Sequence, residues 1–341
     1  MQISMLNKFS KYIMIGICLI FSSKSFSQSD QLLQDLGYLI DDALFFSDKY
    51  ITPATDAAVY QSSSGWVYSA KKRKLWDVTV GVNTNFFFVP NSDTEFKIKN
   101  SDFQLLSIES GATSATVPTA IGNGNQIYLT GALDGETIRI ETPKGINQNV
   151  VIYPHLSGAL SLWYGTEFLV KYSPRVELKR SEYQVYGFGI KHNLSQYFKS
   201  LQANKINLAT TATYSNEDVS FDFLDIQTDF GNLGINRLSG LVDTYQMQLN
   251  ASKEYKKFEV LAGFIANVSD FEYKLTGTKG AIEETIPLQY ILNQRLKEIY
   301  KTKANFMGEI SGRYQISKIF IQSTIAFGKF VNSNLSVQYE F

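Results

Sequence analysis

Long stretches of this chain alternate apolar and polar residues with a period of two. In "WDVTVGVNTNFFF", Trp76, Val78, Val80, Val82, Phe86 and Phe88 share one face, opposite Asp77, Thr79, Gly81, Asn83 and Asn85. "KINLATTATY" sets Ile206, Leu208, Ala212 and Tyr214 against Lys205, Asn207, Thr211 and Thr213. The same alternation runs through residues 245–251, 258–268, 306–316 and 319–327. In a strand, successive side chains point to opposite faces, so the pattern predicts β-strands with one apolar and one polar face.

Alternation alone also suits a soluble sandwich with one wet face. Three features point instead to a membrane barrel. The alternating runs reach the ~10 residues that a strand needs to cross a bilayer. The polar face is rich in Gln, Asn, Ser and Thr, as a wet lumen would be. A sheet in lipid must also close on itself, because lipid cannot satisfy an open edge. The expected fold class is therefore all-β, a transmembrane antiparallel β-barrel of about 12 to 14 strands, with 14 preferred. Residues 153–172 read either as one long strand or as two that turn near Trp163–Gly165. Pro53, Pro90, Pro118, Pro143, Pro154, Pro174 and Pro287 are all expected outside the strands, since proline cannot donate to a ladder.

The ends of the chain read differently. Lys8 and Lys11 precede the apolar run "YIMIGICLIF" (12–21), and Ser25 and Ser27 have the small-residue spacing of a cleavage site. Residues 1–27 are expected to be a secretory signal peptide cleaved near Ser27, since the run is too short to span a membrane. It holds Cys18, the only cysteine, so the mature chain is expected to have neither disulfides nor thiolate metal sites. Without it, 29 basic residues face 32 acidic ones, and nothing suggests nucleic-acid binding. At the other end, "LSVQYEF" alternates up to Phe341. It resembles the last strand of bacterial outer-membrane proteins, and that resemblance makes Tyr339 and Phe341 a signal for the barrel-assembly machinery.

Residues 28–74 are expected to form a helical hatch or plug ahead of a barrel spanning 75–341. Leu32, Leu36, Leu39, Ile40, Ala43 and Phe46 recur at helical spacing, with Ser29 or Asp30 as the cap. A second helix is expected after Pro287, with Leu288, Ile291, Leu292, Leu296 and Ile299 as its apolar stripe. It would pack on the barrel rim or line an entry groove for a greasy ligand.

A short helix followed by "SSSGWVYSAKK" and "LWDVTVGVNTNFFFVPNSDTEF" resembles the hatch and first hairpin of long-chain fatty-acid outer-membrane transporters. Trp66, Tyr68 and Ala70 match that family's Trp-Tyr-Asn-Pro-Ala stretch, with Val67 inserted and Ser69 in place of Asn-Pro. Together with "LWYGTEFLVKYSPRVEL" and "YGFGIKHNLSQYF", the segment is similar to an uncharacterised outer-membrane barrel family known only as a domain of unknown function. These resemblances imply a barrel in a Gram-negative outer membrane.

Little in the chain suggests catalysis. "AIGNGNQIY" is Gly-rich but lacks the strand-to-helix setting of a nucleotide site. His192 lies three residues before Ser195, but a hydrolase would also need an orienting third group. No enzyme activity and no cofactor are expected. Glu167, Lys171, Lys191, Glu259, Glu309 and Arg313 are expected to face inward. Glu309 and Arg313 lie too far apart on one strand to pair, so their partners must come from other strands or the plug. The function expected is porin-like passive transport of small hydrophobic compounds, with Trp66, Tyr68, Leu288, Ile291, Leu292, Leu296 and Ile299 as ligand-binding candidates. The alternative is a structural or partner-binding barrel. The partners expected are outer-membrane lipid, the assembly machinery and a small hydrophobic ligand.

Overall fold

The computed structural model describes residues 3–122, 124–133, 135–178, 181–224, 227–228, 231–232, 234–280 and 287–341. Within these, the side chains of 3–30, 32, 178, 227–228 and 231–232 are left aside. The expected signal segment, the caps Ser29 and Asp30, and Leu32 of the apolar stripe therefore lie outside the described side chains, as do residues 281–286 before the second helix.

Ten strands close into an antiparallel barrel in which each pairs with its neighbours in sequence. They are β1 (Val78–Phe88), β2 (Val150–Ser161), β3 (Thr166–Leu178), β4 (Ser181–Asn193), β5 (Ile206–Asp222), β6 (Arg237–Tyr255), β7 (Phe258–Thr276), β8 (Lys301–Ile316), β9 (Ile319–Phe327) and β10 (Val331–Glu340). β10 returns to β1, with Tyr339 opposite Val80 and Val331 opposite Phe88. The expected 12 to 14 wall strands are corrected to ten. The surplus lies in the β1–β2 connection, whose strands Glu95–Lys99, Ser107–Ile108, Ser114–Pro118, Tyr128–Leu133 and Glu136–Glu141 pair only with one another. At two to six residues each they are too short to span the wall. The expected first hairpin is corrected too, because β1 pairs with β10 and β2 rather than with Glu95–Lys99. The ambiguous stretch 153–172 resolves as two strands around the turn Trp163–Gly165.

The alternation is carried through in space. Val80, Val82, Phe264, Ile310, Ile321 and Val337 are exposed on the outer face, while Asn83, Thr244, Gln248, Ser311 and Gln322 are buried in the bore. Short turns join β6 to β7 and β8 to β9, with Tyr255 opposite Phe258 and Ile316 opposite Ile319. The long β1–β2, β5–β6 and β7–β8 connections leave from the opposite end.

The C-terminal part of helix α1 (Ile3–Ser63) fills the bore, with buried apolar residues from Leu36 onward. It is longer than the short helix expected, because it starts at Ile3 and continues through Pro53. A proline inside a helix costs one backbone bond, and here the surrounding wall holds the helix on both sides of it. Tyr50, Ile51 and Val59 have no exposed surface. Around them the half of the bore nearest the long connections is apolar, lined by Phe87, Val151, Val219, Phe221, Leu238 and Phe271. The other half is polar and charged.

The proline expectation fails at three positions. Pro118 ends a short strand, while Pro154 and Pro174 lie inside β2 and β3. The last two are tolerated because the β2–β3 ladder stops before reaching them, at Leu156 opposite Tyr172. No ladder bond is lost there.

Candidate functional site: the lumen plug

The last turn of α1 meets a wall lysine. A helix ends with carbonyls that have no partner within the helix, and cations are favoured beside them. Lys171 Nζ donates to Ser62 O at 2.8 Å and to Ser64 O at 2.6 Å. Asn85 and Asn332 serve the preceding carbonyls, donating from Nδ2 to Gln61 O and Tyr60 O. Gly65 turns the chain with φ +70°, a conformation open to glycine. Its N–H donates to Glu309 Oε2 at 2.8 Å, so the inward carboxylate finds its partner in the plug, as its place on β8 requires.

Beyond Gly65 the chain runs extended toward the short-turn end, held through its backbone. Trp66 packs its ring 4.5 Å below the Lys171 ammonium and donates from Nε1 to Ser62 O. Tyr68 Oη bonds Ser157 Oγ and accepts from Asn83. Lys191 Nζ donates to Ser69 O and pairs with Glu167 at 2.7 Å. Glu259 accepts from Ser69 Oγ, and Asn193 Nδ2 donates to Ala70 O. Arg73 then reaches Glu340 at 2.6 Å, where Arg313 also pairs. All six inward charges read from the sequence thus gather on this segment or beside it. Arg73, Glu217 and Glu340 complete the set and were missed. Glu217 belongs to the alternation of "ATYSNEDVS", and extending the period-two count along β5 would have found it.

The outer half of the plug is tied down differently. Asp41 pairs with Arg295, Asp48 with Lys301, and Asp56 with Lys303 and Lys329. Asp42 accepts backbone N–H groups from Gln104, Leu105 and Leu106 of the β1–β2 connection. Its burial raises the carboxyl above the ordinary carboxylate value, against the pull of those three bonds.

The ligand candidates divide between two places. Trp66 and Tyr68 lie in the polar half of the bore. Leu288, Leu292 and Leu296 are buried at the far end, in helix α3 (Leu288–Arg295), which follows α2 (Lys199–Ala203), and in the 3-10 turn after α3. Ile291 is half-buried in the same helix, and Ile299 packs beside it. Leu288 and Leu292 meet Leu36, Leu39 and Ala43 of α1 around a cavity of about 20 Å3, so they clasp the plug. A larger cavity, about 30 Å3, lies between Ala54 and Ala57 of α1 and Phe87, Val151, Tyr183 and Phe221 of the wall. Either space holds about one water.

His192 bonds Thr166 through Nδ1 and Tyr197 through Nε2, while Ser195 bonds Asn193. The two residues are not brought together as nucleophile and base. The Gly-rich stretch 120–127 is loop, apart from Asn123, which lies outside the described residues. Tyr339 and Phe341 stack edge-to-face on the outer surface, and Phe341 N donates to Val78 O.

A profile of a family of unknown function, DUF6588, matches residues 6–341. No curated protein matches the chain. Among solved structures, the chain is similar to the attachment invasion locus protein Ail of Yersinia pestis, at 5% identity, covering 79% of this chain and 100% of that one with a TM-score of 0.27. It is similar to the translocator domain of the autotransporter NalP from Neisseria meningitidis, at 9% identity, 85% and 96% coverage and a TM-score of 0.33. It is also similar to the β domain of the Bordetella autotransporter BrkA, at 6% identity, 79% and 100% coverage and a TM-score of 0.33.

Proposed function

The chain belongs to the DUF6588 family of unknown function, and we propose that it is an outer-membrane barrel that passes small hydrophobic molecules passively around a resident plug. An outer face of Val, Ile, Leu, Phe and Tyr suits lipid, and the difference in loop length would put the long connections outside the cell. Tyr339 and Phe341 would then be the assembly signal. The observation that carries the reading is the apolar half of the bore, where Val151, Val219 and Phe221 face small Ala54 and Ala57 on α1. A path for ions or sugars would need polar walls throughout, whereas this half offers shape and burial.

The test is entry of the fluorescent apolar probe 1-N-phenylnaphthylamine into intact Gram-negative cells, whose outer membrane otherwise excludes it. Cells carrying the full chain should take it up faster than cells without it. Ala57→Val, which fills the cavity without displacing α1, should remove the difference. Equal uptake with and without the chain would end this reading.

A second reading is favoured by the filled bore and the folded β1–β2 connection. On that reading the barrel is a sealed platform whose outer sheets, with Arg139 stacked on Tyr128 and paired with Glu109, hold a partner. It predicts no probe entry.

A further inference from the structure

The contacts of α1 fix the direction in which the chain runs through the bore. β1 starts at the short-turn end, where Val78 lies opposite Leu160 and Trp76 N donates to Ser161 O. From there back toward the amino terminus, Arg73 sits beside Glu340 and Gly65 beside Glu309. α1 continues the same way. Ser62 meets Lys171 partway up the wall, and Asp56 meets Lys329 in the turn between β9 and β10, at the long-connection end. Tyr50 Oη donates to Asp222 O at the last residue of β5.

Beyond the wall, α1 passes among the long connections. Phe46 packs on Phe96 and Phe223, Asp42 holds the backbone of Gln104, and Leu36 and Leu39 meet Leu288, Leu292 and Ile235. Past them, Gln31, Leu33 and Gln34 are exposed. An α-helix from Leu36 to Ser62 rises roughly 39 Å, more than the ~30 Å hydrocarbon core of a bilayer. A hatch entering and leaving by the short-turn side would need a hairpin in the bore, whereas α1 is one unbroken helix. Ten wall strands alone would put both ends of the wall on one side. The helix adds an eleventh crossing, so the residues ahead of it lie across the barrel from Phe341, whose N–H donates to Val78 O.

We propose that the barrel displays its own amino-terminal segment: α1 crosses the outer membrane through the bore, and the residues ahead of Leu36 stand on the cell surface beside the folded β1–β2 connection. The inference rests on the outer-membrane reading above, with its long connections outward, and holds whether or not anything is transported. The displayed segment is within reach of a partner outside the cell while the bore stays filled.

The test uses the full chain in a Cys18→Ser background, which has no other cysteine. Gln31→Cys, Ser110→Cys and Lys257→Cys are made singly, all three at exposed positions. Ser110 lies in the long β1–β2 connection and Lys257 in the short β6–β7 turn, so they report the two ends of the barrel. Intact cells meet a polymer-linked maleimide too large to cross the outer membrane, and labelling is compared with that in cells whose outer membrane has been opened. Only protein with the gel mobility of the folded barrel is counted, and Gln34→Cys stands in if Gln31→Cys does not fold. Gln31→Cys and Ser110→Cys should label as fully in intact cells as in opened ones, and Lys257→Cys only in opened ones. If Ser110→Cys labels in intact cells but Gln31→Cys and Gln34→Cys need opening, the display is overturned. If Ser110→Cys does not label ahead of Lys257→Cys, the outer-membrane reading fails and the display with it.

Discussion

Lys171 Nζ lies 2.6 Å from the carbonyl oxygen of Ser64, so a strand of the wall supplies the positive charge that ends the lumen helix. Lys171→Met leaves the Ser62 and Ser64 carbonyls without this donor. Hydrogen bonds to a charged group contribute about 1.5–3 kcal/mol, and a loss of that size is expected. It should appear as a lower temperature for the gel-mobility shift of the folded barrel. Residues 62–74 should also become open to protease from the short-turn side.

Glu167 and Lys191 make the sharper electrostatic test, being 2.7 Å apart with side chains 4% and 3% exposed. Removing Lys191 leaves the buried Glu167 with only Arg73, at 3.8 Å, among the described residues, so the cost lies toward the lower end of about 3–5 kcal/mol. Lys191→Met should therefore be worse than Lys191→Met combined with Glu167→Gln. A double-mutant cycle of unfolding midpoints checks the order.

Gly65 holds φ +70° beside the side chain of Asn334. An alanine meets that side chain at ordinary contact distance, so the cost is mainly backbone strain. Gly65→Ala is expected to lose about 1–2 kcal/mol, measured by the same mobility shift.

Asp42 gives a pH dependence. Its folded carboxyl titrates above its ordinary value because burial disfavours the charge. The folded state then holds the proton more tightly than the unfolded one, so this group's contribution is greatest in acid. It falls as pH rises through the raised folded value and is level above it. Hydrogen exchange at the Leu105 and Leu106 amides should be slowest in acid after correction for intrinsic rates. Asp42→Asn should remove that slope.

Val82 tests the surroundings of the wall. It lies midway along β1 and is 56% exposed. A charge at the middle of a lipid-facing strand costs roughly 2–4 kcal/mol, against little in water. Val82→Arg should therefore destabilise the barrel in lipid vesicles by that amount. No change would remove the membrane reading.

The wall was legible in the sequence because period two survives folding unchanged. Val80 and Val82 face out, and Asn83 and Asn85 face in, as the alternation requires. The inward charges were legible for the same reason. The strand count was not, because Glu136–Glu141 alternates as a wall strand does and only its length and partner show otherwise. Pro154 and Pro174 misled in the other direction, since a proline rule assumes partners on both sides, whereas Pro154 pairs only with β1 and Pro174 falls in the register shift between Ser173 and Val176. The apolar half of the bore was hidden because Phe221, Leu238 and Phe271 interrupt the polar face only where α1 covers them. That pairing depends on distant parts of the chain, which a local pattern does not record.

The seating of α1 bears on how the ring is completed. β1 and β10 are the first and last wall strands in sequence, and their seam joins the two ends of the sheet. Asn332 of β10 donates to Tyr60 O of α1 and to Ser64 Oγ just after it, and Glu340 binds Arg73 at the end of the plug. Zipping the final seam and gripping the helix therefore draw on the same strand. The helix acts as a mandrel, and the sheet becomes a cylinder by wrapping what it will keep. Damage to that grip should appear first as a ring that is slow to close.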